Sequence, residues 1–124
     1  MECPYNKQEI GNNSWHLLHT IAAFFPDTPS EKEKKHYSEF FTSFPYVYPC
    51  RPCAKDFTEI VKENPPDLNS RAELSVWLCR MHNIVNAKIN KPEFNCSIKN
   101  LDQRWKKGPP ECYEQNTPQE DIVY

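Results

Sequence analysis

The sequence predicts an all-α fold, a four-helix bundle followed by a short fifth helix. Apolar residues recur with helical spacing in each long segment, and no segment alternates between polar and apolar residues over the length of a strand. Only two glycines occur in 124 residues, which argues against a hairpin-rich β fold. The twelve prolines lie between the helical patterns, where they separate helices. A chain of this length is expected to fold as one small domain.

The first predicted helix covers Trp15 to about Phe25. Asn13 or Ser14 is expected to cap its start, and Pro26 follows its end. Two apolar rows run along this helix, which predicts that it is buried on most sides. The first row holds Trp15, Leu18, Ala22 and Phe25 together with His19, and the second holds Leu17, Ile21 and Phe24.

The second predicted helix follows Ser30, which is expected to form a capping box with Glu33. Pro45 is expected to end this helix, because proline is poorly tolerated inside one. Its predicted buried side consists of Tyr37, Phe40, Phe41 and Phe44.

The third predicted helix begins at a pair of cysteines, Cys50 and Cys53, and closes at Asn64 before two prolines. Two cysteines with this spacing in a first helical turn bring their sulfurs close together. That geometry suits a reversible disulfide, and it also suits half of a zinc site. The positive end of the helix dipole and the neighbouring Arg51 both favour the thiolate form, which attacks disulfides and binds metals.

The fourth helix is the longest, and it is expected to open with a capping box of Ser70 and Glu73 and to run to about Ile89. Its apolar stripe consists of Leu74, Trp77, Leu78, Met81 and Val85. A short fifth helix is predicted near Ser97 to Trp105, and the chain after Gly108 is expected to be a disordered tail.

A polar stripe on the fourth helix points to a binding site. Its members are Cys79, His82, Asn83 and Asn86, at positions i, i+3, i+4 and i+7. Asparagine is a poor helix former, so two asparagines in register with a histidine indicate directed hydrogen bonds to a polar, planar group rather than an ordinary solvated face. Trp15 and His19 from the first helix and Trp105 from the last add aromatic groups suited to holding a ring cofactor.

Two types of site are compatible with these residues. In one, Cys50, Cys53, Cys79 and His82 form a four-ligand zinc site, although both pairs would lie within helices. In the other, Cys50 and Cys53 form a catalytic disulfide that works with an organic electron acceptor. A thioredoxin is disfavoured, because its paired cysteines require a βαβ context that this sequence lacks. Spacing alone leaves both the zinc and the redox alternatives open.

Composition excludes several other classes of function. A net charge of -2 and a pI near 6.1 provide no general attraction to nucleic acid or to anionic membranes. We expect no membrane span and no signal peptide, because no apolar run of the required length occurs. Six cysteines in so short a chain indicate an oxidising compartment, metal binding or redox catalysis.

Several stretches together carry a resemblance to a known family. They are Gly11-Asn12-Asn13-Ser14-Trp15 with Leu18-His19-Thr20, then Tyr48-Pro49-Cys50-Arg51-Pro52-Cys53-Ala54, Trp77-Leu78-Cys79-Arg80-Met81-His82-Asn83-Ile84-Val85-Asn86, Lys91-Pro92, and Cys96 with Arg104-Trp105. With them, roughly residues 3–112 resemble the Erv/ALR family of FAD-dependent sulfhydryl oxidases. The resemblance implies a homodimeric helical bundle that holds FAD between its helices. It also implies a domain at residues 11–108, an N-terminal extension at 1–10 and a flexible tail at 109–124.

The resemblance implies a function and a location for the chain. A protein of this type oxidises thiol-containing protein substrates, or an oxidoreductase shuttle, and passes the electrons through FAD to oxygen or cytochrome c. The implied compartment is the mitochondrial intermembrane space, with the endoplasmic reticulum or a virus-encoded origin as alternatives. The alternative function is a non-catalytic helical module that binds zinc or is stapled by disulfides.

Residue roles follow from the same resemblance. The implied cysteine pairs are a catalytic disulfide of Cys50 and Cys53 with Cys53 nearer the flavin, a structural disulfide of Cys79 and Cys96, and an intersubunit link of Cys3 and Cys112. The implied FAD contacts are Gly11, Asn12, Trp15, His19, Tyr48, Cys79, His82, Asn83, Asn86, Lys91, Arg104 and Trp105.

The sequence departs from the pattern of the family in two places. Between the active cysteines stand Arg51 and Pro52, where many relatives have two glutamates, and this exchange predicts a more oxidising pair because a cation stabilises the thiolates of the reduced form. Asn12 stands where relatives usually carry arginine, which predicts a weaker or replaced contact to the phosphates of FAD.

Overall fold

The computed structural model describes residues 2–115, and every regular element in that range is helical. The elements are α1 (Lys7–Ala23), α2 (Glu31–Val47), α3 (Arg51–Glu63), α4 (Arg71–Lys88), α5 (Ile98–Asp102), a π-helical segment (Gln103–Lys107) and α6 (Pro110–Gln115). The predicted all-α class is therefore confirmed. None of the helices in this range combines the length and apolar character needed to cross a membrane.

Helix α1 begins eight residues earlier than predicted, at Lys7 instead of Trp15. The reason is a capping box at Asn6 and Glu9: Asn6 accepts a hydrogen bond from the Glu9 backbone N–H at 2.8 Å, and the Asn6 backbone N–H donates to the Glu9 carboxylate at 3.2 Å. The predicted cap at Asn13 or Ser14 is wrong. The last four residues of the predicted N-terminal extension thus belong to α1.

The predicted end of α2 at Pro45 is also wrong, because the helix continues to Val47 with Pro45 inside it. Proline removes one backbone hydrogen bond from a helix, but here its ring is fully buried. The capping box at the start of α2 is confirmed: Ser30 and Glu33 each bond the other's backbone.

Helices α3 and α4 begin where the sequence predicts. Cys50 is the N-cap of α3, and Asn64 ends it. Ser70 accepts from the Glu73 backbone N–H at 3.2 Å, but within residues 2–115 no bond returns from the Ser70 backbone to the Glu73 side chain, so the capping box predicted for α4 is only half formed.

The region after α4 is more regular than predicted. The fifth helix is split into α5 and a π-helical segment, which closes with a hydrogen bond from the Gly108 N–H to the Gln103 carbonyl at 2.8 Å. Residues 110–115 form α6 where a disordered tail was expected. Residues 116–124 of the predicted tail lie outside the described range.

The core lies between two helix pairs, since α1 packs on α4, α2 packs on α3, and α3 also contacts α4. Its buried members are Leu18, Ala22, Phe25, Phe41, Ile60, Val61, Leu74, Trp77, Leu78 and Met81. The prediction that α1 is buried on most sides is wrong at Leu17, which is 55 % exposed, whereas Ile21 of the same row packs against the core. A disulfide between Cys79 and Cys96 ties α4 to the segment before α5, and closing a loop of 17 residues contributes about 3 kcal/mol in the chain-entropy account.

Candidate active site

The first turn of α3 carries a disulfide between Cys50 and Cys53, whose Cα atoms are 5.3 Å apart. Both cysteines are half-buried. The turn is closed by a hydrogen bond from the Ala54 N–H to the Cys50 carbonyl at 2.7 Å. Because Cys50 is the helix cap and Cys53 lies one turn inside, the two sulfurs face different surroundings.

Cys53 lines a cavity of about 490 Å³ that we call the cysteine-side cavity. Its walls come from all four long helices, α1 to α4, and from the segments around Tyr48 and Lys91. The predicted cofactor residues along it are Gly11, Asn12, Trp15, Tyr48, His82, Asn86 and Lys91. A pocket of this size, mainly apolar with a few polar groups, is typical of small-molecule sites.

A second cavity of about 350 Å³ lies next to the segment that follows α4, and we call it the loop-side cavity. The predicted cofactor residues along it are Asn12, Trp15, His19, His82, Asn86, Arg104 and Trp105. Asn12, Trp15, His82 and Asn86 line both cavities, so the two cavities adjoin along one shared wall.

Four aromatic rings form this shared wall and its continuation. Trp15 stacks on His82 with ring centroids 3.9 Å apart, and His19 stacks on Trp105 at 4.5 Å. A hydrogen bond of 2.9 Å between His19 Nε2 and His82 Nδ1 joins the two stacks. The Arg104 guanidinium lies 3.9 Å from the centre of the Trp105 ring, a cation–π contact.

Both histidines of the wall are neutral at physiological pH. Burial lowers the pKa of His19 to about 3, with smaller contributions from His82, Arg104 and His16. Burial also lowers the pKa of His82 to about 4, with Lys91 contributing. In the neutral pair one ring nitrogen donates to the other, so the site presents uncharged rings to a ligand.

Tyr48 closes the cysteine-side cavity near the disulfide. Burial raises the pKa of its phenol, and a hydrogen bond with Ser14 opposes that rise. A methyl group placed on Gly11 would lie 3.6 Å from the Tyr48 hydroxyl, an ordinary van der Waals distance. The neutral phenol is thus held between α1 and the cysteines.

Two of the predicted cofactor residues line neither cavity. Cys79 is buried and bonded to Cys96. Asn83 instead bonds the segment after α4: its Nδ2 donates to the Phe94 carbonyl at 2.9 Å and its Oδ1 accepts from the Phe94 N–H at 2.9 Å. Phe94 lines the loop-side cavity, so the structure places Asn83 behind the site rather than in its wall.

The cysteines needed for the zinc alternative do not come together. Cys79 is bonded to Cys96 instead of facing Cys50 and Cys53, and no cluster of three or more potential metal ligands occurs in residues 2–115. Cys3 and Cys112 are both exposed.

Several cavity residues were missed by sequence reasoning. Lys7 and Gln8 line the cysteine-side cavity because α1 starts early, and the Asn6–Glu9 capping pattern was the signal that would have found them. The other missed residues with polar or aromatic side chains include Asp56, Phe57 and Lys88 in that cavity and His16, Glu93 and Phe94 in the loop-side cavity.

The combined geometry suits a long ligand with a ring system at each end. Each cavity has aromatic walls, the two cavities adjoin, and Lys7, Lys88 and Lys91 bring positive charge to the cysteine-side cavity. Such an arrangement can hold two rings joined by an anionic linker, with one ring beside Cys53.

Comparison with known proteins gives consistent matches. A sequence profile of the Erv1 / Alr family matches residues 12–106. The chain is 42% identical over 105 residues to the mitochondrial FAD-linked sulfhydryl oxidase ERV1 of Saccharomyces cerevisiae, covering 85% of this chain and 54% of that protein. It is 42% identical over 113 residues to the FAD-linked sulfhydryl oxidase ERV1 of Oryza sativa, covering 91% of this chain and 56% of that protein. The chain thus spans about half the length of these relatives.

Solved structures resemble the fold closely. The crystal structure of the yeast Erv1 core superposes with a TM-score of 0.82 at 41% identity, covering 86% of this chain and 89% of that one. The FAD-binding domain of Erv1 from Saccharomyces cerevisiae superposes with a TM-score of 0.78 at 41% identity, covering 83% and 96%.

Proposed function

This chain belongs to the Erv1/Alr family, and we propose that it is an FAD-dependent sulfhydryl oxidase that forms disulfide bonds in thiol-containing proteins. One observation supports the proposal most directly. A disulfide at a helix N-terminus has its second cysteine, Cys53, in the wall of an aromatic-lined cavity, while Cys50 lies outside that wall. This arrangement separates a substrate-facing sulfur from a cofactor-facing sulfur.

The proposed reaction begins with thiol–disulfide exchange at Cys50. A substrate thiolate attacks the Cys50 sulfur, the Cys50–Cys53 bond breaks, and Cys53 leaves as a thiolate facing the cavity. A second substrate thiolate then attacks the mixed disulfide, which releases oxidised substrate and leaves Cys50 and Cys53 as a dithiol carrying two electrons. FAD, when bound, supplies a two-electron acceptor beside Cys53. The helix N-terminus stabilises the Cys53 thiolate at the point where it forms.

We propose that the residues lining the two cavities hold the FAD. Trp15, Tyr48 and His82 supply ring surfaces near Cys53, and Arg104 with Trp105 supplies a second platform in the loop-side cavity. Lysine ammonium groups, Lys91 among them, are suited to the diphosphate. Cys79 and Asn83 support the FAD site indirectly, Cys79 through its disulfide with Cys96 and Asn83 through its hydrogen bond to Phe94.

The partners follow from the same proposal. Substrates are protein thiols or an oxidoreductase shuttle, and the final acceptor is oxygen or cytochrome c. Oxygen consumption and cytochrome c reduction, measured with the same dithiol substrate, distinguish the two acceptors. We further propose the mitochondrial intermembrane space as the compartment, supported by the mitochondrial names of the Saccharomyces cerevisiae and Schizosaccharomyces pombe relatives. Fractionation of the source cells tests this location.

We propose that two copies form the working unit, each contributing the domain predicted at residues 11–108 together with residues 7–10, which belong to α1. Exposed apolar side chains on α1 and α2 support this, since Leu17 is 55 % exposed and Phe40 is 37 % exposed. The exposed positions of Cys3 and Cys112 are compatible with an intersubunit disulfide. Non-reducing electrophoresis beside size-exclusion chromatography tests the covalent link and the dimer separately.

Replacing Cys53 with serine tests the proposed function. We expect the purified wild type to be yellow, with visible flavin absorbance, and to oxidise dithiothreitol. Cys53→Ser should keep the flavin absorbance but lose turnover, because the electron pair can no longer reach the cavity. A colourless wild type would favour the non-catalytic module, and turnover by Cys53→Ser would refute the role of that cysteine.

A further inference from the structure

We propose that a charged groove beside Cys50 selects protein thiols that are flanked by an acidic residue. The inference rests on the proposed function and defines its substrate class. It concerns the outer side of the cysteine pair, which the mechanism above leaves unspecified. We call this feature the α3 groove.

The α3 groove has a volume of about 680 Å³ and lies between the end of α2 and the first half of α3. Pro49 and Arg51, the two neighbours of Cys50 in the chain, both line it. Cys53 instead lines the cysteine-side cavity. The groove is therefore lined by residues on both sides of Cys50 in the chain, the cysteine that a substrate thiolate attacks in the proposed reaction.

Charge is ordered along the groove. Arg51, Lys55 and Glu59 follow one another at i, i+4 and i+8, so they form one stripe on α3. The two cations lie nearest the disulfide, and the first turn of α3 contains no acidic residue. The N-terminal end of the helix adds further positive potential at the same place.

These charges are available to a partner. All three residues are exposed, and none of them forms an ion pair within residues 2–115. Tyr46, on the rim of the groove, is also exposed, at 78 %. An exposed tyrosine beside unpaired charges is the kind of surface that contacts a peptide.

The spacing of the charges along α3 indicates where a substrate peptide would carry its acidic residue. Successive residues of the stripe rise by about 6 Å along α3, while an extended peptide advances about 3.3 Å per residue. A peptide whose cysteine attacks Cys50 therefore brings a carboxylate one or two positions away to Arg51 or Lys55. A basic residue two positions farther would meet Glu59. The occupant is thus an extended, acidic thiol-bearing segment, and the exchange reaction itself is unchanged.

Two matched peptides test this inference on the flavin-loaded chain of 124 residues. Both contain the same pair of cysteines, and they differ only in having glutamate or lysine beside the first one. We expect kcat/KM to be about fivefold higher for the glutamate peptide at low salt, from a surface ion pair, and the preference to vanish as salt rises.

Charge reversal provides the decisive comparison. In Lys55→Glu we expect the preference between the two peptides to disappear or invert, with oxidation of dithiothreitol unchanged. Lys62→Glu makes the same charge change seven residues farther along α3 and should retain the wild-type preference. Equal kcat/KM for both peptides in the wild type, or a Lys55→Glu variant that keeps the preference, would overturn the inference. Failure to oxidise either peptide or dithiothreitol would instead refute the proposed function.

Discussion

At the level of single residues, the site is built around two histidines that must remain neutral. His19 and His82 share one hydrogen bond, and each is covered by a tryptophan. Protonating both would place two charges on rings in contact, next to Arg104 and Lys91. In residues 2–115 no fully buried side-chain nitrogen or oxygen lacks a hydrogen-bond partner, and the shared bond uses one ring nitrogen of each histidine.

From the low pKa values of these two histidines we expect the free energy of unfolding to decrease as the pH falls. The pKa values in the folded chain are about 3 for His19 and about 4 for His82, whereas a histidine in the unfolded chain has its ordinary pKa near 6.5. Below pH 6.5 these histidines therefore bind protons in the unfolded chain before they do so in the folded chain. Stability is therefore complete above pH 6.5 and declines as pH falls toward 4, by at most about 1.4 kcal/mol per pH unit for each histidine.

Thermal unfolding between pH 4.5 and 7.5 measures this effect. We expect His82→Gln to show a smaller decrease in Tm with falling pH than the wild type. His36→Gln, which changes an exposed histidine on α2, should keep the wild-type slope. A wild-type Tm that does not change across this pH range would contradict the assignment.

The residues between the active cysteines predict the redox potential. Arg51 stands between the two cysteines in the chain, in a first turn that contains no acidic side chain, so we expect the reduced thiolates to be stabilised and the disulfide to be more oxidising. We expect the Arg51→Glu, Pro52→Glu double variant to have a reduction potential lower by about 30 mV, measured by equilibration with glutathione buffers. Lys62→Glu, at the far end of α3, serves as the control. A wild-type potential equal to or below that of the double variant would refute the prediction.

At the level of helices, what the sequence could reveal depended on whether a signal was local. The start of α2 was predictable from the capping box of Ser30 and Glu33, and the start of α3 from Pro52 in its first turn, because both signals act within one helical turn. The end of α2 was not, because burial of Pro45 by its neighbours outweighs the backbone bond that proline removes. The π-helical segment was also out of reach, since it depends on how Arg104 and Trp105 meet α1.

In the candidate site, too, local signals were predictive and signals that depend on distant parts of the chain were not. The polar stripe on α4 could be found from spacing, and His82 and Asn86 do line the cavities. Asn83 lies in the same stripe yet bonds Phe94 instead, because the chain after α4 folds back over that side of the helix. Helical spacing identifies a shared face, but only the path of the following loop decides which residues of that face a ligand can reach.

Asn83 is thus predicted to position the loop that walls the loop-side cavity. Asn83→Asp keeps the acceptor for the Phe94 N–H but replaces the donor to the Phe94 carbonyl, leaving that carbonyl facing an anion. We expect the Kd for FAD to rise about tenfold, measured by flavin fluorescence, and turnover to recover at saturating FAD.

The matched control lies in the same loop. Asn95 uses its side-chain oxygen to accept from the Ser97 N–H, and Asn95→Asp keeps that acceptor while making the same change in charge. Wild-type affinity for FAD in Asn83→Asp, or an equal loss in Asn95→Asp, would contradict a specific role for Asn83.

At the level of the whole molecule, Arg71 connects segments that are distant in the chain. Its guanidinium donates to both Asp102 carboxylate oxygens, at 2.7 Å and 3.1 Å, and to Asp27 at 3.3 Å. It also donates to the Ala23 carbonyl at 3.5 Å. One side chain at the start of α4 therefore joins α5 to the end of α1. Helix α1 carries Trp15 and His19 of the loop-side cavity, and α5 leads into the π-helical segment that carries Trp105.

Removing an ion-pair partner of Arg71 should therefore lower the free energy of unfolding, and the effect should be larger for the more buried partner. The Arg71 and Asp102 side chains are only 15 % and 21 % exposed, whereas Asp27 is 84 % exposed. Asp102→Ala leaves a largely buried guanidinium without its bidentate partner, and we expect it to lower the unfolding free energy by about 2 kcal/mol. For Asp27→Ala we expect less than about 1 kcal/mol, as for most exposed ion pairs.

Thermal and urea unfolding of both variants measure this ranking, and Glu31→Ala provides the reference for an exposed ion pair. Glu31 is 94 % exposed and lies 3.6 Å from Lys34, so its loss should be close to neutral. Because α5 leads directly into the π-helical segment with Arg104 and Trp105, Asp102→Ala should also release FAD at a lower temperature than Asp27→Ala. If Asp102→Ala is as stable as Glu31→Ala, Arg71 does not couple α4 to the cofactor site, and the packing of Leu101 in the core must hold α5 instead.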